Sequence, residues 1–264
     1  MTANILLIGD SCLDEYYIGS CDRLSPEAPV PVMKIVNYYT AMGMAANVHN
    51  NLLSLGLTVT FISNTDIIKK TRYIDQRSGQ HLLRVDKETK IQSWDGIINK
   101  PFTDFDAIVI SDYNKGFVTY EHVKKLRYSY TGPIFIDTKK PDLAQFHGCY
   151  VKINEHEYQA RRSDNDKMIV TLGSQGAMYI EDNHEQKFPG NIAEVTDVCG
   201  CGDTFLAALV YEYLMTDSVP DAIDFANKAA SITVQHRGNY CPTLKELGIW
   251  VDDDDQVEEG EDGH

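Results

Sequence analysis

No run of about 18 apolar residues occurs in the 264-residue sequence, so no segment qualifies as a membrane-spanning helix. The first ten residues lack the basic start and long apolar run of a secretory leader and are expected to form a buried strand. Basic charge is scarce: 24 Lys and Arg stand against 39 Asp and Glu, a net charge of −15. Phosphate backbones select basic surfaces, so neither nucleic acid nor membrane is expected as a partner. The six cysteines (Cys12, Cys21, Cys149, Cys199, Cys201, Cys241) form no Cys-x-x-Cys pair and no zinc-like spacing. Reduced thiols in a cytoplasm are the expectation. The first strand is not followed by a G-x-G-x-x-G turn, which argues against a dinucleotide-dependent dehydrogenase. There is no internal repeat.

Short apolar runs alternate with helical patterns. Strands are predicted at Asn4–Ile8, Ala107–Ser111, Ile134–Asp137, Tyr150–Ile153, Met168–Leu172 and Ala177–Ile180. Their near-continuous apolar character suits strands covered on both faces. Helices are predicted at Ala45–Leu55, Tyr120–Tyr130 (Thr119 as N-cap), Thr204–Met215 and Asp221–Arg237. The alternation predicts an α/β fold with a doubly wound, mostly parallel sheet. Pro29–Tyr39 and Arg72–Asp86 are strand-like but partly polar, and are expected to form a small lid of strands (within residues 12–40 and 72–90) over a ligand crevice. Residues 1–251 are taken as one domain. The segment 252–264 holds eight acids and no Lys or Arg, and is expected to be a disordered, solvated tail.

The densest chemical signal is Asp197-Val198-Cys199-Gly200-Cys201-Gly202-Asp203-Thr204, which runs straight into a helical pattern. Two glycines let the backbone approach a ligand and turn sharply. The helix start then offers unpaired amides and a positive dipole end. Asp203 in that first turn can act as a base beside an anion held by the amides of Gly200, Cys201 and Gly202. The rival reading is an Asp cap on a Gly-rich turn.

Five blocks in order carry a resemblance. They are Gly9-Asp10-Ser11-Cys12-Leu13-Asp14, Gly43-Met44-Ala45-Ala46-Asn47, Asn154-Glu155-His156-Glu157, Thr171-Leu172-Gly173-Ser174-Gln175-Gly176, and the turn ending in Asp203. Together they resemble the ribokinase-like (PfkB) carbohydrate kinases over roughly residues 3–247. Ser25-Pro26-Glu27-Ala28-Pro29-Val30-Pro31-Val32, Leu82-Leu83-Arg84-Val85-Asp86, Ser111-Asp112-Tyr113-Asn114-Lys115-Gly116 and Ile136-Asp137-Thr138-Lys139 are similar to the D-glycero-β-D-manno-heptose-7-phosphate kinase subgroup. Members of that subgroup are often fused to an adenylyltransferase. Its His-x-Gly-His signature is absent here, so only the kinase half is expected.

The resemblance implies phosphoryl transfer from ATP with Mg²⁺ to a sugar hydroxyl, with a monovalent cation as an open requirement, in a cytoplasmic homodimer. It implies that Asp203 is the base and that Asp14, Gly43 and Asn47 hold the sugar; a strand-end cap at Asp14 and a helix cap at Asn47 are the rivals. Arg84, Asp112 and Lys115 are assigned to the substrate; for Arg84, Lys115 and Lys139 a cationic clamp on a sugar phosphate stands against solvated surface charge. On the nucleotide side stand Asn154, Lys139, Thr171, Gly173, Gly176 and Asn227, with strand ends, turns and helix packing as the plain readings. Glu157 is assigned to Mg²⁺.

Three departures from the family pattern accompany this. Met44 replaces the second hinge glycine, Cys201 stands for the usual Ala, and Gly238-Asn239 for the usual Gly-Thr. The chain is also short between Asn64 and Arg72 and between Glu157 and Met168, where about one helix each, and a strand in the first gap, are expected to be missing. Another hexose or pentose kinase, or a non-catalytic sugar- or nucleotide-binding homologue, are the alternatives.

Overall fold

Strands that run apolar without alternation must be covered on both faces, and helices with one apolar stripe supply the cover. The computed structural model, which describes residues 3–249, arranges the chain in this way. In order the elements are β1 (Asn4–Gly9), β2 (Ser11–Leu24), β3 (Pro31–Met44), α1 (Ala45–Ser54), β4 (Thr58–Ser63), β5 (Ile68–Asp75), β6 (His81–Lys87), β7 (Ala107–Asp112) and α2 (Tyr120–Ser129). Then come β8 (Ile134–Thr138), β9 (Tyr150–Asn154), α3 (Glu155–Ala160), β10 (Lys167–Thr171), β11 (Ala177–Glu181), β12 (His184–Phe188), α4 (Cys201–Thr216) and α5 (Val219–Thr233).

The main sheet has eight strands in the order β12-β11-β10-β9-β8-β7-β1-β4. It is parallel from β4 to β10, with β11 and β12 antiparallel at one edge. Along β1, Leu6 and Ile8 enter one core layer, while Ile5 and Leu7 enter the other. Each such fully buried side chain contributes roughly 1.5–3 kcal/mol. The second layer holds α1, α4 and α5. Helix α4 is buried at every position from Asp203 to Tyr211, as befits an apolar central helix.

The predicted strands and helices are found within a few residues of their expected bounds, with two differences that matter. Arg72–Asp86 is not one strand but parts of two: β5 turns at Asp75, whose carboxylate accepts the Ser78 amide, and β6 returns. The lid also takes in all of Ser11–Leu24, giving a four-stranded sheet in the order β3-β2-β5-β6. Its central pair, β2 and β5, is parallel and the outer pairs are antiparallel. Strands β4 and β12 and the short α3 complete the chain beyond the predicted elements.

Both sheets meet at the carboxyl ends of β1 and β4. The link from β4 to β5 is only four residues long, consistent with a missing strand and helix there. Asn64 pins this junction: its Oδ1 accepts the Ser11 amide at 2.7 Å and its Nδ2 donates to the Ser11 carbonyl at 3.2 Å. The second short link joins α3 to β10 through residues 161–166. The expected acidic tail lies outside the described residues.

Candidate active site

Parallel strands place their carboxyl ends at one side of a sheet, and a crevice forms there beneath the lid. Gly200 enters it as the N-cap of α4 with φ 76°. This left-handed conformation suits glycine, and a Cβ there would also lie 2.8 Å from Asn47 Nδ2. No side chain caps α4, so its first-turn amides remain available to an anion. The turn is braced from behind by Asp197, whose two oxygens accept the amides of Cys199 and Gly238 at 3.0 and 2.9 Å.

Asp203 is 5% exposed. Its Oδ2 accepts from Asn47 Nδ2 at 2.9 Å and its Oδ1 from the Tyr113 hydroxyl at 2.8 Å. Burial pushes its pKa up to about 6; the nearby Asp137 adds to the rise, while the hydrogen bonds of Asn47 and Tyr113 and the charge of Lys152 oppose it. Lys152 forms a buried pair with Asp137 at 2.7 Å and lies against Gly202, where a Cβ would stand 3.0 Å from Nζ. The side-chain oxygen of Asn47, Oδ1, is buried without a partner among the described residues.

The lid closes over this group. One face of it carries Asp14 and Tyr16 on β2, Tyr39 on β3, Lys70 and Arg72 on β5, and Arg84 and Asp86 on β6, in cross-strand register. Asp14 binds Arg72 Nη1 at 2.6 Å, both buried, and Asn239 Nδ2 approaches Asp14 at 3.5 Å. Gly43 makes this possible, since a Cβ there would fall 2.0 Å from Asp14 Oδ2. Arg84 stands opposite Arg72 and pairs with Asp86 at 2.7 Å. Met44 follows with φ 62° and ψ −132°, a strained combination for a residue with a side chain.

A cavity of about 400 Å³ adjoins the α4 N-terminus. Thr171, Gly173, Gly176, Cys201, Gly202 and Asn227 all line it, with an apolar wall from Ile192, Val195 and Val198. It is thus where two of the predicted anion-hole residues meet four of the predicted nucleotide residues. Asn154 and Glu157 stand apart as a reciprocal cap of α3: Glu157 Oε2 accepts the Asn154 amide at 2.8 Å, and Asn154 Oδ1 accepts the Glu157 amide at 2.9 Å. The second oxygen of Glu157 pairs with Lys139. Burial works against the charge of Lys139, but Glu157 and Asp137 outweigh it and hold its pKa above the usual value.

Two assigned residues sit differently. Asp112 is 2% exposed, and its oxygens accept from the Asn114 amide, Thr138 and Lys140. Lys115 pairs with Glu88 at the surface. Tyr113, Lys152, Arg72 and Asn239 escaped the sequence reading. Lys152 left a signal as a charge inside the apolar run of β9, and Tyr113 and Asn239 lie in blocks that the sequence singled out without giving them a role.

A mostly parallel sheet, a β-strand lid and a glycine-capped helix start facing a cleft define the ribokinase architecture. The solved ribokinase from Arabidopsis thaliana, complexed with ribose and ATP, superimposes with a TM-score of 0.71 at 16% identity, over 94% of this chain and 98% of that one. Phosphofructokinase-2 from Escherichia coli, in complex with potassium, gives 0.70 at 15% identity, over 94% and 97%.

The pfkB family carbohydrate kinase model matches residues 149–246 of the chain. Among curated proteins it is 31% identical to the bifunctional protein HldE of Nitratiruptor sp. over 94% of its length, and 32% identical to that of Helicobacter pylori (strain HPAG1) over 93%. The chain spans 64% and 65% of those relatives. The aligned stretches, 301 and 306 positions, exceed the 264 residues available, so the relatives carry segments that this chain lacks.

Proposed function

We propose that this kinase transfers the γ-phosphoryl group of ATP to the anomeric hydroxyl of D-glycero-β-D-manno-heptose 7-phosphate, giving the 1,7-bisphosphate. The observation that carries the acceptor is the inner face of the lid, where Lys70, Arg72 and Arg84 occupy neighbouring positions and outnumber the two acids paired with them, Asp14 and Asp86. A neutral sugar has no use for such a grip, whereas a phosphate at its far end does. The similarity to HldE proteins supports the same reading.

In this reading the sugar lies between Asp14, Gly43 and Asn47, and the nucleotide occupies the cavity from Thr171 and Gly176 to Asn227. The anomeric oxygen forms a bond to the γ-phosphorus as the bond to the bridging β–γ oxygen breaks. Its proton passes to Asp203, late in a loose transition state. The amides of Gly200 to Asp203 hold the transferring oxygens.

Among the described residues no three acids, histidines or cysteines come together to hold a metal. Mg²⁺ keeps several waters and rides on nucleotide phosphates, and Glu157 and Asn154 are its proposed protein contact. When bound it neutralises phosphate charge. We place the reaction in the cytoplasm; no helix among the described residues is long and apolar enough to cross a membrane.

A homodimer through the lid belongs to the same proposal. Its outer face aligns Tyr38 and Met42, Leu13 and Tyr17, Tyr73, and Leu83 and Val85 across four strands, and Tyr38, Met42, Leu83 and Val85 are exposed.

Release of ADP against heptose 7-phosphate and a panel of hexoses and pentoses tests the substrate. Turnover confined to an unphosphorylated sugar refutes the heptose assignment. A different sugar is the second reading, favoured by the strained, bulky Met44 at the sugar end.

A further inference from the structure

The segment Ser111–Gly116 is one of the blocks shared with the heptose kinase subgroup, yet the proposed chemistry uses none of its residues directly. Its backbone is fixed from two sides. Asp10, fully buried at the end of β1, accepts the amides of Lys115 and Phe117 at 3.2 and 3.3 Å. Asp112 accepts the Asn114 amide at 2.9 Å and the Thr138 hydroxyl at 2.8 Å, and Lys140 ties Asp112 to the Val118 carbonyl. Two buried carboxylates thus hold one short loop, a costly arrangement for a mere connection. What the loop presents is Tyr113. Its hydroxyl donates to Asp203 Oδ1 at 2.8 Å, and its ring lies between Lys70 Nζ at 5.3 Å and Lys139 Nζ at 5.0 Å. One of these cations comes from the lid and the other follows β8.

Resting on the reading of Asp203 as the base, we infer that Tyr113 is a positioning residue that sets the orientation and protonation of that carboxylate, and that Asp10 and Asp112 serve by holding Tyr113 in place. Each Asp203 oxygen receives one internal donor, Tyr113 on Oδ1 and Asn47 on Oδ2. One lone pair on each is left for the acceptor hydroxyl. Rotation of the carboxyl would break both bonds, so its plane is fixed before substrate arrives.

A donor to the ionised form favours that form, so Tyr113 works against the burial that raises the pKa of Asp203. The other charges near Asp203 are Asp137 from β8, Lys152 from β9 and Lys139 from the segment after β8. The thiols of Cys12, Cys201 and Cys241 also face it, and all three are held protonated by burial. None of these donates a hydrogen bond to Oδ1.

The test compares the full chain with its Tyr113→Phe variant, which keeps the ring and removes only the donor. Carbon-detected NMR follows the Asp203 carboxyl, assigned by its loss in Asp203→Asn, while kcat/KM is measured against pH. The carboxyl titration in Tyr113→Phe should move up by about one pH unit. The acid limb of kcat/KM should move with it, and KM for ATP should hold. Site-specific 3-fluorotyrosine at position 113, a stronger donor, should move the titration down. A carboxyl titration unchanged in both variants overturns the inference and reduces Tyr113 to packing. A carboxyl that moves while the acid limb stays put supports the inference and refutes Asp203 as the base.

Discussion

Replacing Asp203 by Asn should stabilise the fold at neutral pH while abolishing turnover. In the folded chain the carboxyl titrates near 6 instead of the ordinary 3.8, because ionising it inside the protein is unfavourable. At about 1.4 kcal/mol per unit, the ionised form costs about 3 kcal/mol of stability above pH 6. The sign follows from proton uptake: as pH falls from 6 towards 3.8 the folded state binds the proton first, so the cost fades. An amide has no such charge.

Its geometry is also tolerable. Asn at 203 can accept from Tyr113 through its oxygen, and its new Nδ2 needs an acceptor where Asn47 now donates. Asn47 has one, since its buried Oδ1 has no partner among the described residues and an amide flip turns it towards residue 203. Chemical denaturation at pH 7.5 should therefore show Asp203→Asn about 1–3 kcal/mol more stable than the parent, with the gain nearly gone at pH 4. Lower stability at pH 7.5, or a gain that persists unchanged at pH 4, refutes the reasoning. Retained sugar phosphorylation refutes the role of Asp203.

Four further outcomes are expected. Gly43→Ala drives a methyl into Asp14 Oδ2, and should raise KM for the acceptor sugar at least about tenfold, with little change for ATP, as steady-state kinetics will read. Arg72→Ala strands the buried Asp14 and should cost about 3–5 kcal/mol in denaturant unfolding, whereas Arg84→Ala, at the surface with Asp86, should cost under about 1 kcal/mol. Arg84→Ala should nonetheless weaken binding of a sugar phosphate more than that of the same sugar without phosphate, measured by calorimetry. Leu83→Glu on the outer lid face should convert a dimer to a monomer in sedimentation velocity, leaving the fold intact by circular dichroism.

How far the sequence led depends on where each residue's partner lies. β1 and α4 were legible because burial on all sides writes itself as an unbroken apolar run. β2 fell within the expected lid range, but its bounds were not legible, since its Asp14 and Glu15 are buried by salt bridges to Arg72 and Lys69, more than 50 residues away. The Gly-rich turn was readable because glycine and a following helix are local features. Tyr113 was unreadable as a site residue: its importance comes from a bond to Asp203, 90 positions on. The partners of Asp112 and Glu157 within the fold were similarly hidden, for a carboxylate in a motif looks the same before the amides and cations it ties to are known.

The Asn64 clamp at the root of the lid has a mechanical consequence. With Ser11 and Asn64 bonded side by side, the lid is a lever whose fulcrum lies at the ends of β1 and β4. Displacement in a lever grows with distance from the fulcrum. Asp14 and Gly43 lie close to it, whereas the turn of residues 25–30 between β2 and β3 lies farthest away, beyond the level of the turn at Gly79. Any tilt of the lid about that fulcrum would therefore shift the reacting end of the cleft least and its far end most.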